Sequence, residues 1–410
     1  MVQTSNRVSS GAAIRPIHSL EELRADISLT RSCAYFQTGS EGPVADSTQR
    51  VLVQALQDEN HAALLGPGSY AALVEEAERA RGALAAFIGV APEEVAWLSN
   101  TASAVRLAVA SLPWQPGDRL AISSVEHVST RILARGVEQI TGRATTVIPA
   151  GNGGDYRPER FLATLAEQLT PDHRLVILSH VSCLDGRRLP VAEAARLARS
   201  RGVKVLVDGA QAVGQFPVDA GAIDAEFYAG SLHKWLLGPA GLGYLVVNRR
   251  QLPDYHPLFM PHPYPREDGQ ACERLLSAGG QTEVGTESLS LRLAAGAAIS
   301  TVQRIGVEVI ARHAGPLVRR LQDGLRGLPG LEVISPASWE LASGILAIRL
   351  PGFTPEQVRA LVVRIWQEAR VVVKFQPEYA GIRISVAGFN IEAEVERLLA
   401  ALARLLPAGS

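Results

Sequence analysis

Two periodicities alternate along the chain. Apolar positions recur every three or four residues in ADSTQRVLVQALQDEN (45–60), SYAALVEEAERARGALAAFIG (69–89) and VAEAARLARSRG (191–202), the spacing of one buried helix face. Between such stretches lie short, continuously apolar runs bounded by Gly, Pro, Asp or Ser: VAWLS, RLAIS, ATTVIPA, RLVILSHVS, KVLVDGA, AEFYAGS and GLGYLVVN. Short strands that are apolar on both faces and alternate with helices predict a mostly parallel sheet covered on both sides. The seven runs between about 95 and 248 therefore predict one large α/β domain with a seven-stranded, mainly parallel sheet.

Beyond that point the pattern changes. LPDYHPLFMPHPYPREDGQ (252–270), rich in Pro and His, reads as a long surface excursion. One long helical stretch is expected from about Glu287 to Leu328. LEVISP, GILAIRLP, VVVKFQP and GIRISVA then read as strands, with helices over 354–369 and 391–406. This predicts a smaller α+β domain with its own sheet. The polar first 20 residues or so are expected to be poorly ordered. The resulting division is 1–44, a segment joining the small domain; 45–290, the large domain; and 291–410, the small domain.

Composition narrows the function. Two domains suit 410 residues, and 47% apolar with 20% charged residues is ordinary for a soluble globular chain. A net charge of −1 without basic blocks points to neither nucleic acid nor membrane as a partner. Cys33, Cys183 and Cys272 are too widely spaced for a disulfide framework or a metal site. The opening residues lack a signal-peptide core and no run approaches a membrane span, so a reducing cytoplasm is the expected location. Lysine occurs only at Lys204, Lys234 and Lys374 among 40 basic residues; with the Ala-rich composition this suits a GC-rich bacterial source.

That scarcity directs attention to Lys234, set in the apolar, glycine-rich SLHKWLLGPAGLG. Asp208 ends the run KVLVD, and Lys234 follows the next run, so both are expected at the carboxyl ends of neighbouring strands, where open α/β sheets bind ligands. A lone lysine and a carboxylate so placed suit pyridoxal phosphate (PLP): the lysine forms a Schiff base and the carboxylate keeps the pyridine nitrogen protonated. Arginine could not replace Lys234, because it does not deprotonate to a nucleophile. The spacing alone is equally that of a lysine stem with a solvated head and an Asp–Gly turn.

VDGAQAVG and SLHKWLLGPAGLG together resemble the strand-Asp and Schiff-base segments of the class V aminotransferase and cysteine desulfurase family of fold-type I PLP enzymes. The resemblance runs from AYFQTGSEGPV near residue 35 to RISVAGFNIEAEVERL. It implies Lys234 as the imine lysine, Asp208 as the pyridine partner, Gln211 on the ring oxygen, and Ser231 and His233 on the phosphate. SNTASAVRLAV opens a helix after VAWL, which offers the N–H groups of Thr101 and Ala102 to the phosphate. SSVEHVST resembles the Glu-His block that stacks a histidine, here His127, on the ring. TEVGTES resembles the segment reaching the neighbouring subunit's phosphate, implicating Gly285, Thr286 and a homodimer with shared sites. GIRISVAGFN resembles the strand of the substrate-carboxylate arginine, here Arg383, whose planar fork suits a carboxylate.

The implied reaction begins with an amino acid displacing Lys234 as an external aldimine, after which Lys234 removes the Cα proton. The family's desulfurases carry a persulfide-forming Cys on a small-domain loop; VVVKFQPEYAGIRIS has none, and Lys374, Gln376 and Tyr379 stand there instead. Cys183, after SHVS, is expected beside the cofactor without a catalytic role. With AYFQTGSEGPV and LLGPGSY, these departures look most like the C–S lyase and isopenicillin epimerase branch. β-Elimination from a cysteine-derived amino acid is the leading expectation, followed by amino transfer and then epimerisation. Two other classes fall away. A non-catalytic sensor or scaffold would not need Lys234, Asp208 and Arg383 together, and a nicotinamide dehydrogenase needs G-x-G-x-x-G where this chain has NTASAV.

Overall fold

All seven apolar runs of the first half form strands of one sheet. In chain order, β1 is Ala34–Tyr35, and the sheet strands are β2 (Val95–Leu98), β3 (Arg119–Ser123), β4 (Thr146–Ile148), β5 (His173–Ser179), β6 (Lys204–Asp208), β7 (Phe227–Ser231) and β8 (Gly243–Val247). Their spatial order is β2-β8-β7-β6-β5-β3-β4, parallel except for β8, which runs antiparallel to both neighbours. The computed structural model describes residues 15–65, 67–257, 277–283 and 285–406.

The apolar runs are continuous because each strand feeds two cores. Val176, Leu178, Val205 and Val207 join one; Leu175, Ile177 and Leu206, one position out of step along the same strands, join the other. That alternation follows from side chains pointing to opposite faces of a strand. The sheet reverses its winding between β3 and β5, the kind of switch point at which a crevice opens beyond the strand ends.

The second sheet has the order β12-β13-β10-β9 and is antiparallel, built from β9 (Glu332–Val333), β10 (Ile345–Arg349), β12 (Lys374–Gln376) and β13 (Gly381–Ser385). The run VVVKFQP, read as one strand, divides at Val373 into β11 (Val371–Val372) and β12, because its halves serve different partners. β11 pairs in parallel with β1, and β12 pairs with β13. Phe36 donates its N–H to Val372 and accepts from Ser385, which stitches the N-terminal strand between the two.

The helix expected over 287–328 is two helices, Leu289–Ile305 and Val307–Arg326, bent by 72°. Gly306 between them has φ +87, a conformation that ends a right-handed helix and suits glycine. The first helix buries Ala295, Ile299 and Val302 in a large-sheet core, against the helices Asp46–Leu65 and Pro67–Phe87. The second gives Leu317, Val318, Leu321 and Leu325 to the small-sheet core. Among the described residues no single helix is long and apolar enough to cross a membrane; this bent pair is so only when its halves are counted together. Residues 1–14, most of the Pro/His-rich excursion, and Cys272 lie outside the described residues.

Candidate active site

Beyond the carboxyl ends of β3, β5, β6 and β7 lies a cavity of about 360 Å³, closed from the other side by β12 and β13. Of the residues singled out from sequence, Thr101, Ala102, His127, Cys183, Asp208, Gln211, His233, Lys234, Lys374, Gln376 and Arg383 line it. Ser231 is buried at the end of β7 without lining it, and Tyr379 donates its hydroxyl to the Leu184 carbonyl, 3.0 Å away, outside it. Gly285 and Thr286 are exposed and away from this chain's cavity.

Lys234 sits in a tight turn after β7. The N–H of Gly238 reaches back to the Leu232 carbonyl, and Leu237 adopts φ +54, costing about 1–2 kcal/mol in a left-handed conformation. Two glycines let other chain segments grip this turn. A Cβ at Gly42 would stand 2.2 Å from the Lys234 carbonyl oxygen, and one at Gly214 would stand 2.6 Å from that of Trp235. Gly42 also donates its N–H to the His233 carbonyl. The N-terminal loop is thus part of the lysine's seat.

Burial lowers the basicity of Lys234, and the positive charges of Arg383 and Lys374 add to this; the Asp208 carboxylate and the Cys183 thiol oppose it. Asp208 accepts the Ala210 N–H on Oδ1 at 3.0 Å. Gln211 is fixed at both ends: Trp235 Nε1, which can only donate, bonds Oε1 at 2.8 Å, so Nε2 donates to the Gly39 carbonyl and keeps one N–H in hand. His127 caps the helix Val128–Thr141, its Nδ1 accepting from the Ser129 N–H. That bond leaves the proton of a neutral imidazole on Nε2. Burial lowers the basicity of the ring, with Lys234 adding to the effect and the Asp208 carboxylate opposing it. Arg383, 3% exposed on β13, donates to the Cys183 carbonyl (2.8 Å) and to Ser40 Oγ (2.6 Å), while its Nε–H has no acceptor among the described residues. Burial pushes the Cys183 thiol up, so it stays protonated.

Sequence reasoning missed Ser40, Asn100, Arg131, Ser179 and Glu378, which also line the cavity, and Glu126 behind it. Glu126 is fully buried and accepts from Ser123 Oγ and from the N–H and Oγ of Ser179. Burial pushes its carboxyl up to about 8, and the Asp208 charge adds to the shift. Ser179 stands opposite Asp208 in the β5–β6 register, so Glu126 braces the strand end beside the one that carries Asp208. Its signal was present, an acid beside His127 in VEHVST; Arg131 likewise lies one helical turn from His127.

A family model described as aminotransferase class-V matches residues 51–398. The chain belongs to the class V aminotransferase family. It is 32% identical over 339 residues to an isopenicillin N epimerase of Streptomyces clavuligerus, covering 79% of this chain and 83% of that one. It is 31% identical over 348 residues to a cysteine desulfurase of Dickeya dadantii, covering 80% and 81%. Among solved structures, the cystine C–S lyase C-DES with its reaction product cysteine persulfide aligns with a TM-score of 0.81 at 25% identity, over 90% of this chain and 97% of that chain. This class V chain is thus a fold-type I PLP enzyme.

Buried polar atoms in and beside the cavity suit that cofactor. Thr101 Oγ1, Ser231 Oγ and His233 Nδ1 are buried without hydrogen-bond partners among the described residues, each a cost of about 1–3 kcal/mol unless a ligand meets it. They converge. Ser231 pairs with Gly243, and a Cβ on Gly243 would stand 2.7 Å from Asn100, the cap of the helix Thr101–Ala110. The side chain of Asn100 takes the Ser103 N–H, leaving those of Thr101 and Ala102 for an anion. Unmet polar atoms beside a helix N-terminus have the chemistry an anion such as a phosphate requires.

Proposed function

We propose that the cavity binds PLP on Lys234 and an α-amino acid on Arg383, and cleaves a C–S bond of a cysteine-derived substrate by β-elimination. The observation that carries the reading is the half-buried, weakened base Lys234 beside Asp208, facing a wall whose β12–β13 connection is Pro377, Glu378, Tyr379 and Ala380, with no thiol to take up sulfur. When bound, PLP supplies the electron sink for charge developing at Cα. Asp208, with Oδ2 unengaged by described residues, holds a proton at the pyridine nitrogen. The remaining Nε2–H of Gln211 serves the ring oxygen, and His127 covers the ring face. Ser231, His233 and the N–H groups of Thr101 and Ala102 hold the phosphate. Arg383 docks the substrate carboxylate, and Lys234 Nζ takes the Cα proton and returns one to the leaving sulfur.

Epimerisation is the second reading, favoured by the likeness to isopenicillin N epimerase. Amino transfer would use the same residues. Incubation with a panel of amino acids and thioether conjugates in D2O, followed by mass spectrometry and chiral analysis, separates the three. Pyruvate and a thiol are expected; a deuterated, inverted Cα or a keto acid with its side chain intact would replace the β-elimination reading.

The same reading includes a cytoplasmic homodimer in which Gly285 and Thr286 reach the neighbouring site. It is supported by the anchoring of that segment: Glu283, buried between Arg81 (2.6 Å) and Arg292 (2.7 Å), takes the Trp97 N–H and holds the exposed residues beyond it in place. The division 1–44, 45–290 and 291–410 is supported by the β1–β11 pairing; the helix Leu289–Ile305, which buries its face in a large-sheet core, spans the second boundary.

A further inference from the structure

We propose that Lys374 binds a second acidic group on the substrate, so that the preferred amino acids carry an anionic side chain, such as an acid group on the sulfur substituent. This rests on the amino-acid reading above and deepens it. Lys374 on β12 stands directly opposite Arg383 on β13, which puts both side chains on one face of the sheet; both line the cavity. The intervening positions obey the opposite rule: Phe375, Ile382 and Ile384 turn to the small core. The alternation therefore presents two cations side by side to the substrate.

Like charges directly opposite on a sheet destabilise it, and the rim carboxylate of Glu378 offsets this pair only in part. Lys374 is half-buried and makes no hydrogen bond or ion pair with any described residue. Burial lowers its basicity, and Arg383 lowers it further. The carboxylates lining the cavity are Asp208 and Glu378. Asp208 is committed to the cofactor side. Glu378 is exposed at the rim and bonded by Gln376 Nε2 at 2.7 Å, so water screens its charge. An α-carboxylate taken by the fork of Arg383 leaves the Lys374 ammonium unmatched. A flexible four-carbon stem ending in a point charge suits a second, separately placed acid group rather than a share of the first.

The test is a titration of the holoenzyme followed through cofactor absorbance, using α-methyl amino acids, which bind but have no Cα proton to lose. α-Methylaspartate is compared with isovaline, which has a methyl group in place of the second carboxylate, and α-methylglutamate with 2-methylnorvaline. The diacid of one or both pairs is expected to bind about tenfold more tightly or better, as a charge-assisted contact in a partly buried site gives. Lys374→Met should bring that ratio close to one, and Lys374→Arg should retain most of it, with melting curves and the ligand-free spectrum confirming that each variant is folded and loaded. A wild-type ratio near one, or a preference that survives in Lys374→Met, overturns this inference and leaves the amino-acid reading standing. If neither mono- nor diacids perturb the spectrum, the amino-acid reading falls and this inference with it.

Discussion

The two walls of the cavity are built on opposite terms. The large-sheet wall presents strand ends and a helix N-terminus whose polar atoms are fixed by neighbours or left as donors: Gln211 held by Trp235 and Gly39, and Thr101, Ser231 and His233 without partners. The small-sheet wall presents charge instead, with Arg383 and Lys374 paired across two strands and Glu378 at the rim. The first wall is the part in which the chain follows its family motif by motif; the second is where the family's thiol is missing. On the proposed reading the difference is a division of labour: one wall would fix the cofactor, and the other would decide which molecule meets it.

The sharpest way to break this comparison is on the first wall. Lys234→Ala should lower turnover by at least about 10³-fold, and borohydride, which should fix the cofactor to Lys234 in the wild type, should leave the variant unlabelled by peptide mass spectrometry. Labelling at Lys374 would exchange the roles of the walls. Asp208→Asn should keep the fold by circular dichroism and lose turnover by about 10²–10³-fold, because a neutral amide no longer holds the pyridinium proton. On the second wall a smaller, differently shaped effect is expected. Arg383→Lys should raise KM for an α-carboxylate substrate about tenfold with a lesser change in kcat, as a bidentate fork becomes a point charge; an unaltered KM would place the carboxylate elsewhere.

Behind the first wall, Glu126 should appear in stability rather than rate. Its folded carboxyl is raised from 4.5 to about 8, so the folded protein keeps a proton that the unfolded chain gives up. This contribution is full below about 4.5 and fades as pH rises to about 8. Glu126→Gln, a neutral isostere, should flatten the fall of Tm between pH 5 and 8; a parallel curve would mean Glu126 is ionised in the fold. The smallest effect is expected at Cys183, whose thiol is protonated and whose contribution is its backbone carbonyl. Cys183→Ser should cost about 1 kcal/mol in denaturant melts and leave sulfur release largely intact.

The sequence made the first wall legible and the second only in part. Strand ends can be read from apolar runs, and Asp208, Lys234 and Thr101 sit at such ends, so pattern and motif point to the same places. All seven runs of the large sheet became strands for the same reason. Gly306 was passed over within a helical stretch because apolar spacing continues across it, while its φ of +87 depends on tertiary packing. The division of VVVKFQP at Val373 was hidden because β11 answers to β1, more than 300 residues earlier in the chain. Glu126 and Arg131 carry no periodicity of their own; only the bend of the chain after β3 brings them to the site.

The seat of Lys234 has a consequence for the order in which the protein is made. The loop that grips the lysine turn, through Gly39 and Gly42, follows β1, which has no strand partner before β11. β1 is among the first strands to leave the ribosome and β11 among the last. The strands of the large sheet, by contrast, all lie between Val95 and Val247, well before β11 in the chain. The N-terminal strap can meet the lysine turn as soon as that turn exists, but it gains the strand that pins β1 only when the chain is nearly finished.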